Sequence, residues 1–131
     1  MVRLILFVCN HNAGRSVMAE AFFRAYDRNP EFEAKSAGLT PKAAVNPVVL
    51  EAMAEKGVDV SGHVPRLLSK ADADAAVKIF TMGCTDGCPL TPAEKTEDWK
   101  LDDPAGKSIQ DVRKIRDDVE KRVKALLKEL E

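Results

Sequence analysis

The chain has 131 residues, a length that fits one ordinary domain and is short for two. Hydrophobic residues make up 45% of it, enough to bury one core without a disulfide framework or a structural metal. The formal net charge is -1 and basic residues are not clustered, which argues against nucleic acid as the main partner.

Val2 to Val8 is an almost unbroken apolar run, the pattern of a buried strand in a parallel sheet. It is far too short to span a bilayer, and the polar Asn10, His11 and Asn12 that follow do not resemble a signal-peptide cleavage site. Gly14 to Asn29 has helical periodicity, with Val17, Met18, Ala21, Phe22 and Ala25 on one face and Glu20, Arg24 and Asp27 elsewhere. Phe32 to Ser36 reads as a short second strand closed by Gly38. Asn46 caps a helix with Pro47 in its first turn, and Val48 to Lys56 continues it to a stop at Gly57. Ala75 to Met82 reads as a third buried strand, Gly83 to Glu94 as a loop, and Asp98 to Leu101 as a short fourth strand. Ser108 caps a final helix whose apolar stripe is Ile109, Val112, Ile115, Val119, Val123, Leu126, Leu127 and Leu130. Strands alternating with helices indicate an α/β domain with a parallel sheet, and without repeat or linker residues 1–131 form one domain.

The strongest chemical signal is Cys9-Asn10-His11-Asn12-Ala13-Gly14-Arg15-Ser16, between the first strand and the first helix. Open α/β sheets bind ligands beyond the carboxyl ends of their strands. Successive backbone N–H groups before a helix N-terminus suit an anion, and the planar fork of Arg15 matches two oxygens of a tetrahedral oxyanion. Such a field favours the thiolate of Cys9, with Ser16 placed to donate a hydrogen bond to it. Asn12 and Gly14 are residue types that tolerate unusual backbone angles. A lone cysteine at a strand end is often mere filling; one spaced Cys-x5-Arg-Ser before a helix reads as a nucleophile.

This loop resembles the phosphate-binding loop of the low-molecular-weight protein tyrosine phosphatases and of the arsenate reductases that share their fold. Asn12, Met18-Ala19-Glu20 and Ser36-Ala37-Gly38 also match that pattern, and the similarity runs from near residue 2 to the final helix. The resemblance implies a flavodoxin-like three-layer sandwich on a four-stranded parallel sheet of order 2-1-3-4. It also implies that Asp103, before Pro104, is the general acid; its neighbour Asp102 reads as structural or solvated.

Cys9 and Arg15 do not separate phosphatase from reductase, because phosphate and arsenate share charge and shape. Cys84 and Cys88 bear on the choice. Reducing arsenate needs two electrons, which two thiols supply by forming a disulfide, and a third thiol can pass that disulfide outward. Residues four apart on an intact helix have Cβ atoms about 5–6 Å apart. A disulfide needs about 3.5–4.5 Å. A Cys84–Cys88 bond therefore requires a loop or a helix that deforms, which suits the nearby Gly83, Gly87 and Pro89.

Cys88-Pro89 and the run Asp98 to Gly106 resemble the three-cysteine, thioredoxin-coupled arsenate reductases, and phosphatases of this fold carry aromatic residues where this chain has Ala105 and Gly106. By that resemblance Cys9 attacks arsenate, Cys84 attacks Cys9 as arsenite leaves, and Cys88 takes over the bond. The partners implied are arsenate, phosphate as a competing anion, and thioredoxin or a low-molecular-weight thiol, with a cytoplasmic monomer expected and no cofactor. The alternative enzyme is a phosphatase working through a Cys9 phosphoenzyme.

Several positions depart from the pattern. His11 stands where many relatives have glycine, and Gly14 where phosphatases often have a second loop cysteine. Arg66 falls near where some relatives place an acidic residue that helps bind potassium; an arginine there could replace the cation, so no metal is expected. His11 either tunes the anion site or shapes the backbone, and His63 either supports the loop through Asn12 or Ser36 or lies on the surface. Trp99 reads as a core residue. A zinc site built from the cysteines and a histidine is disfavoured, because only two of the cysteines are close together. A non-catalytic oxyanion sensor would leave Asp103 without a purpose.

Overall fold

The computed structural model describes residues 2–82 and 91–130. Four strands, β1 (Arg3–Cys9), β2 (Phe32–Gly38), β3 (Ala76–Met82) and β4 (Thr96–Asp98), form one sheet. All are parallel, in the order β2-β1-β3-β4. The helices are α1 (Arg15–Tyr26), α2 (Pro47–Ala54), α3 (Lys70–Ala75) and α4 (Ile109–Glu129).

The central strand β1 is apolar on both faces because both faces are covered. Ile5 and Phe7 face the larger core, shared with α1, α2 and α4, while Leu4, Leu6 and Val8 face a smaller one closed by Leu68 and by Ala73 of α3. Every residue from Leu4 to Cys9 is buried. The α4 stripe fits its periodicity: Val112, Ile115, Val119, Val123 and Leu126 are buried, and the Ser108 side chain accepts from the Asp111 N–H. Trp99 is buried against Phe80, ring centroids 4.5 Å apart, as a core residue should be.

The differences from the sequence expectations have local causes. α1 ends at Tyr26 rather than Asn29, because Asp27 turns extended and its side chain accepts from the Asn29 N–H in place of a helical bond. Its burial is broader than one stripe: Glu20 and Phe23 are covered, whereas Ala25 is exposed. α2 begins on Pro47 and stops at Ala54, with Gly57 at φ +73° completing the turn. α3 falls where no helix was expected. β4 ends at Asp98, not Leu101: the Trp99 N–H still reaches the Thr81 carbonyl at 2.8 Å, but the chain then leaves the sheet so that Trp99 and Leu101 enter the core. The loop expected over 83–94 includes a turn of 3₁₀ helix at Ala93–Lys95, and its residues 83–90 lie outside the described residues. Among the described residues no helix is long and apolar enough to cross a membrane.

Candidate active site

β1 delivers Cys9 to the carboxyl edge of the sheet, and the next five residues loop back to start α1 at Arg15. The carbonyls of this loop are engaged from behind. Those of Cys9, Asn10, His11 and Ala13 accept from the N–H groups of Leu39, Thr40, Lys42 and Asn46 at 2.7–3.2 Å. Because the N–H and C=O bonds of a peptide unit point opposite ways, turning these carbonyls back aims the N–H groups that share their peptide units toward the pocket in front. β2 makes this possible by ending in Gly38, where a Cβ would stand 2.8 Å from the Asn12 nitrogen and 2.9 Å from the Asn10 oxygen.

Asn12 organises the interior of the loop. It takes φ +48°, within the range asparagine tolerates, and is fully buried. Its amide nitrogen donates to Ser16 Oγ at 2.8 Å. The Ser16 hydroxyl is thereby turned to donate to Cys9 Sγ, 2.9 Å away. Asn12 Oδ1 accepts twice, from the ring Nε2 of His63 at 2.9 Å and from the Arg66 backbone N–H at 3.0 Å. His63 Nδ1 faces Glu20 at 3.8 Å. Burial pushes the His63 pKa down, partly opposed by Glu20, so the ring is neutral at neutral pH and its one proton sits on Nε2.

Arg15 is buried beneath the pocket, one Nη donating to the Leu101 carbonyl at 3.2 Å and the other 3.7 Å from Asp103 Oδ2. Its Nε is buried and has no partner among the described residues, leaving a donor for an oxygen of a bound anion. Asp103 keeps 45% of its side chain exposed, and its other oxygen accepts from the Ala105 N–H. Cys9, Arg15 and Asp103 line one narrow pocket together with His11, Ala13 and Gly14; Asp102 is exposed and does not line it. The arrangement offers a buried thiol, an unpartnered guanidinium N–H of Arg15 beside it, and a carboxyl group open to water.

His63 supports the loop through Asn12, while Ser36 Oγ is buried without a partner among the described residues. His11 lines the pocket and also ties its ring to the Thr40 carbonyl at 3.0 Å. The Arg66 guanidinium pairs with Asp72, which Lys35 also approaches. Gly14 has φ -147° and ψ -90°, outside the helical and extended regions, and space matters there as well, because Pro104 lies against it. Lys42 and Asn46 also line the pocket and were not anticipated. Asn46 was legible only as a helix cap, and nothing local marks Lys42. Cys84 and Cys88 lie outside the described residues; the described part of β3 ends at Met82, which pairs with Cys9.

A doubly wound parallel sheet with a Cys-x5-Arg oxyanion loop after its first strand, and an aspartate facing that loop, defines a class of small cysteine-dependent oxyanion-handling proteins. Residues 4–131 match the low molecular weight phosphotyrosine protein phosphatase family, and the chain belongs to it. Within that family it is similar to a putative arsenate reductase of Halobacterium salinarum, 38% identical over 127 residues covering 94% of this chain and 89% of that one. Among solved structures it resembles a thioredoxin-dependent arsenate reductase of Corynebacterium glutamicum at 36% identity and TM-score 0.81, covering 98% of this chain but only 61% of that one. An arsenate reductase in a phosphate-binding state matches at 31% identity and TM-score 0.88, covering 99% of this chain and all of the other.

Proposed function

We propose that this protein reduces arsenate to arsenite, with Cys9 as nucleophile and Cys84 and Cys88 as the thiols that carry the oxidation away. The observation that carries the chemistry is Cys9 Sγ in the pocket, bonded to Ser16 and backed by the Arg15 guanidinium. Arsenate docks on the N–H groups of residues 10–16 and on Arg15. The Cys9 thiolate attacks arsenic, an S–As bond forms and an As–O bond breaks, and Asp103 gives its proton so that the oxygen leaves as water. Cys84 then attacks Cys9 Sγ. The S–As electron pair stays on arsenic, which leaves as arsenite, and a Cys9–Cys84 disulfide remains. Cys88 displaces Cys9 from that bond, and a dithiol reductant reopens Cys84–Cys88.

The pocket surroundings favour a small inorganic anion over an aromatic ester. A neighbouring depression that shares Lys42, Asn46 and Ala105 with the anion pocket is lined by Ala43, Ala44 and Gly106, so among the described residues a phenyl ring finds no aromatic face there. Phosphate competes for the same donors. In keeping with the thioredoxin dependence of the Corynebacterium relative, the reductant is thioredoxin or a low-molecular-weight thiol. The protein works as a cytoplasmic monomer without metal or cofactor. A single turnover of fully reduced protein with arsenate, without external reductant, tests this. The expected result is one arsenite for every two thiols lost, recovered as Cys84–Cys88 on peptide mapping. Unchanged thiols beside intact hydrolysis of phosphate esters would make the protein a phosphatase instead.

A further inference from the structure

We infer that Gly14 is a positioning residue for proton delivery: its missing side chain lets the Pro104 ring seat on the oxyanion loop and so sets Asp103 over the reacting centre. A Cβ at residue 14 would lie 2.6 Å from Pro104 Cγ and 3.5 Å from its Cδ, with Val49 closing the other side at 3.7 Å. The obstructing atom belongs to a closed ring on a buried residue, so it cannot swing aside as the tip of a long side chain would.

The segment around Pro104 is fastened to the anion loop on either side of this contact. Arg15 donates to the Leu101 carbonyl ahead of it. Asn46 holds the Ala13 carbonyl through its backbone N–H and reaches the Pro104 carbonyl with its side chain at 3.5 Å. Gly14 lies between these ties, where the two segments touch directly. Proline fixes its own φ and restricts the residue before it, so the seat of the ring and the direction of the Asp103 carboxyl are coupled. Relieving a 2.6 Å contact to ordinary van der Waals distance moves the ring by roughly 1 Å, and misplacing a reacting group by that much costs about 100-fold in rate. The second loop cysteine that many phosphatases of this fold carry has no room here.

This inference rests on the role proposed for Asp103, and the test separates the two. Gly14→Ala, Asp103→Asn and the double variant are compared in single turnovers with arsenate, alongside calorimetric titration with inorganic phosphate and thermal melting. Gly14→Ala is expected to slow arsenite formation about 100-fold. Its phosphate affinity should stay within about threefold, and adding it to Asp103→Asn should cost little more, because the acid is already gone. Pro104→Ala in the Gly14→Ala background should recover part of the rate. A Gly14→Ala protein with wild-type rate, with multiplicative losses in the double variant, or with phosphate binding lost would overturn the inference. If the wild type makes no arsenite, the reductase reading fails alone, and the same variants are run on p-nitrophenyl phosphate and phenyl phosphate. There the inference requires a larger loss on phenyl phosphate, whose leaving group needs the proton.

Discussion

Asn12 and Ser16, behind the nucleophile, are fully buried and spend their polar atoms on each other, on Cys9 and on His63. Across the pocket, Asp103 keeps 45% of its side chain in water, on a segment without regular structure between β4 and α4. The contrast follows from what each side does. Donors for a developing charge work best when they need not reorganise, so they are embedded and over-determined. A group that gives up a proton in each cycle must regain it from solvent, so its carboxyl stays open. The fixed side therefore lies next to the sheet, and the exchanging side lies on a loop that borrows order from it through Arg15, Asn46 and Gly14.

The largest effect should come from removing the sulfur on the fixed side. Cys9→Ser is expected to abolish arsenite formation and thiol loss together while leaving phosphate binding measurable, since the loop donors remain. Arsenite still formed by that variant would dissolve the contrast, because the nucleophile would then lie elsewhere. On the open side, Asp103→Asn should slow single turnovers by about 10²–10⁴-fold with little change in phosphate affinity. A loss of phosphate affinity instead would show that Asp103 organises the anion site rather than serving it with protons.

How far this contrast was legible before folding differs between its two halves. The apolar run of β1, the Cys9-to-Arg15 spacing and the α4 stripe are local patterns, and each fell where the periodicity places it. The ties that hold the acid side are tertiary. Nothing in the residues flanking Leu101 says that its carbonyl belongs to Arg15, and the alternation of Trp99 and Leu101 mimicked a strand when these residues were leaving one. The backbone angle of Gly14 was a local expectation, but the seat of Pro104 against it is tertiary. α3 escaped because six residues reading Lys-Ala-Asp-Ala-Asp-Ala carry no apolar stripe; Ser69 accepting from the Asp72 N–H was its one cue.

A smaller effect sharpens the fixed side through its outer support. His63 is neutral in the folded protein, its pKa held below the ordinary value chiefly by burial, with Glu20 pulling the other way and Arg24 and Arg66 adding to the depression. The unfolded chain takes its proton near pH 6.5, whereas the folded chain resists until lower pH. Stability from this group is therefore full above about 6.5 and is lost as pH falls toward the folded value. His63→Gln keeps an N–H donor for Asn12 but does not titrate, so its melting temperature should fall less steeply with acidification below pH 6.5. His63→Ala removes one of the two donors to Asn12 Oδ1, leaves the Arg66 N–H in place, and should cost about 0.5–1.5 kcal/mol at neutral pH. Parallel melting curves for wild type and the glutamine variant across that window would show that the ring carries no such load.

The smallest effect on catalysis should come from a charge cluster with no tie to either loop. Glu55, just past the end of α2, receives Arg113 at 2.6–3.2 Å and Arg116 at 2.7 Å from α4. Its carboxyl is held at about 2, first by the hydrogen bonds from Arg113 and then by those from Arg116. A depressed carboxylate contributes stability that is complete above its unfolded value, near 4.5, and disappears as pH falls toward 2. Glu55→Gln should therefore flatten acid unfolding between those values and lower the melting temperature slightly at neutral pH, since exposed pairs of this kind are weak. Its single-turnover rate should match wild type, because Glu55 lies at the opposite end of α2 from Asn46 and Val49, the residues that meet the anion loop. A slowed turnover would mean that the α2–α4 contact feeds into the pocket through Asn46, the helix cap that also reaches Pro104, and would extend the borrowed order of the acid loop across the whole of α2.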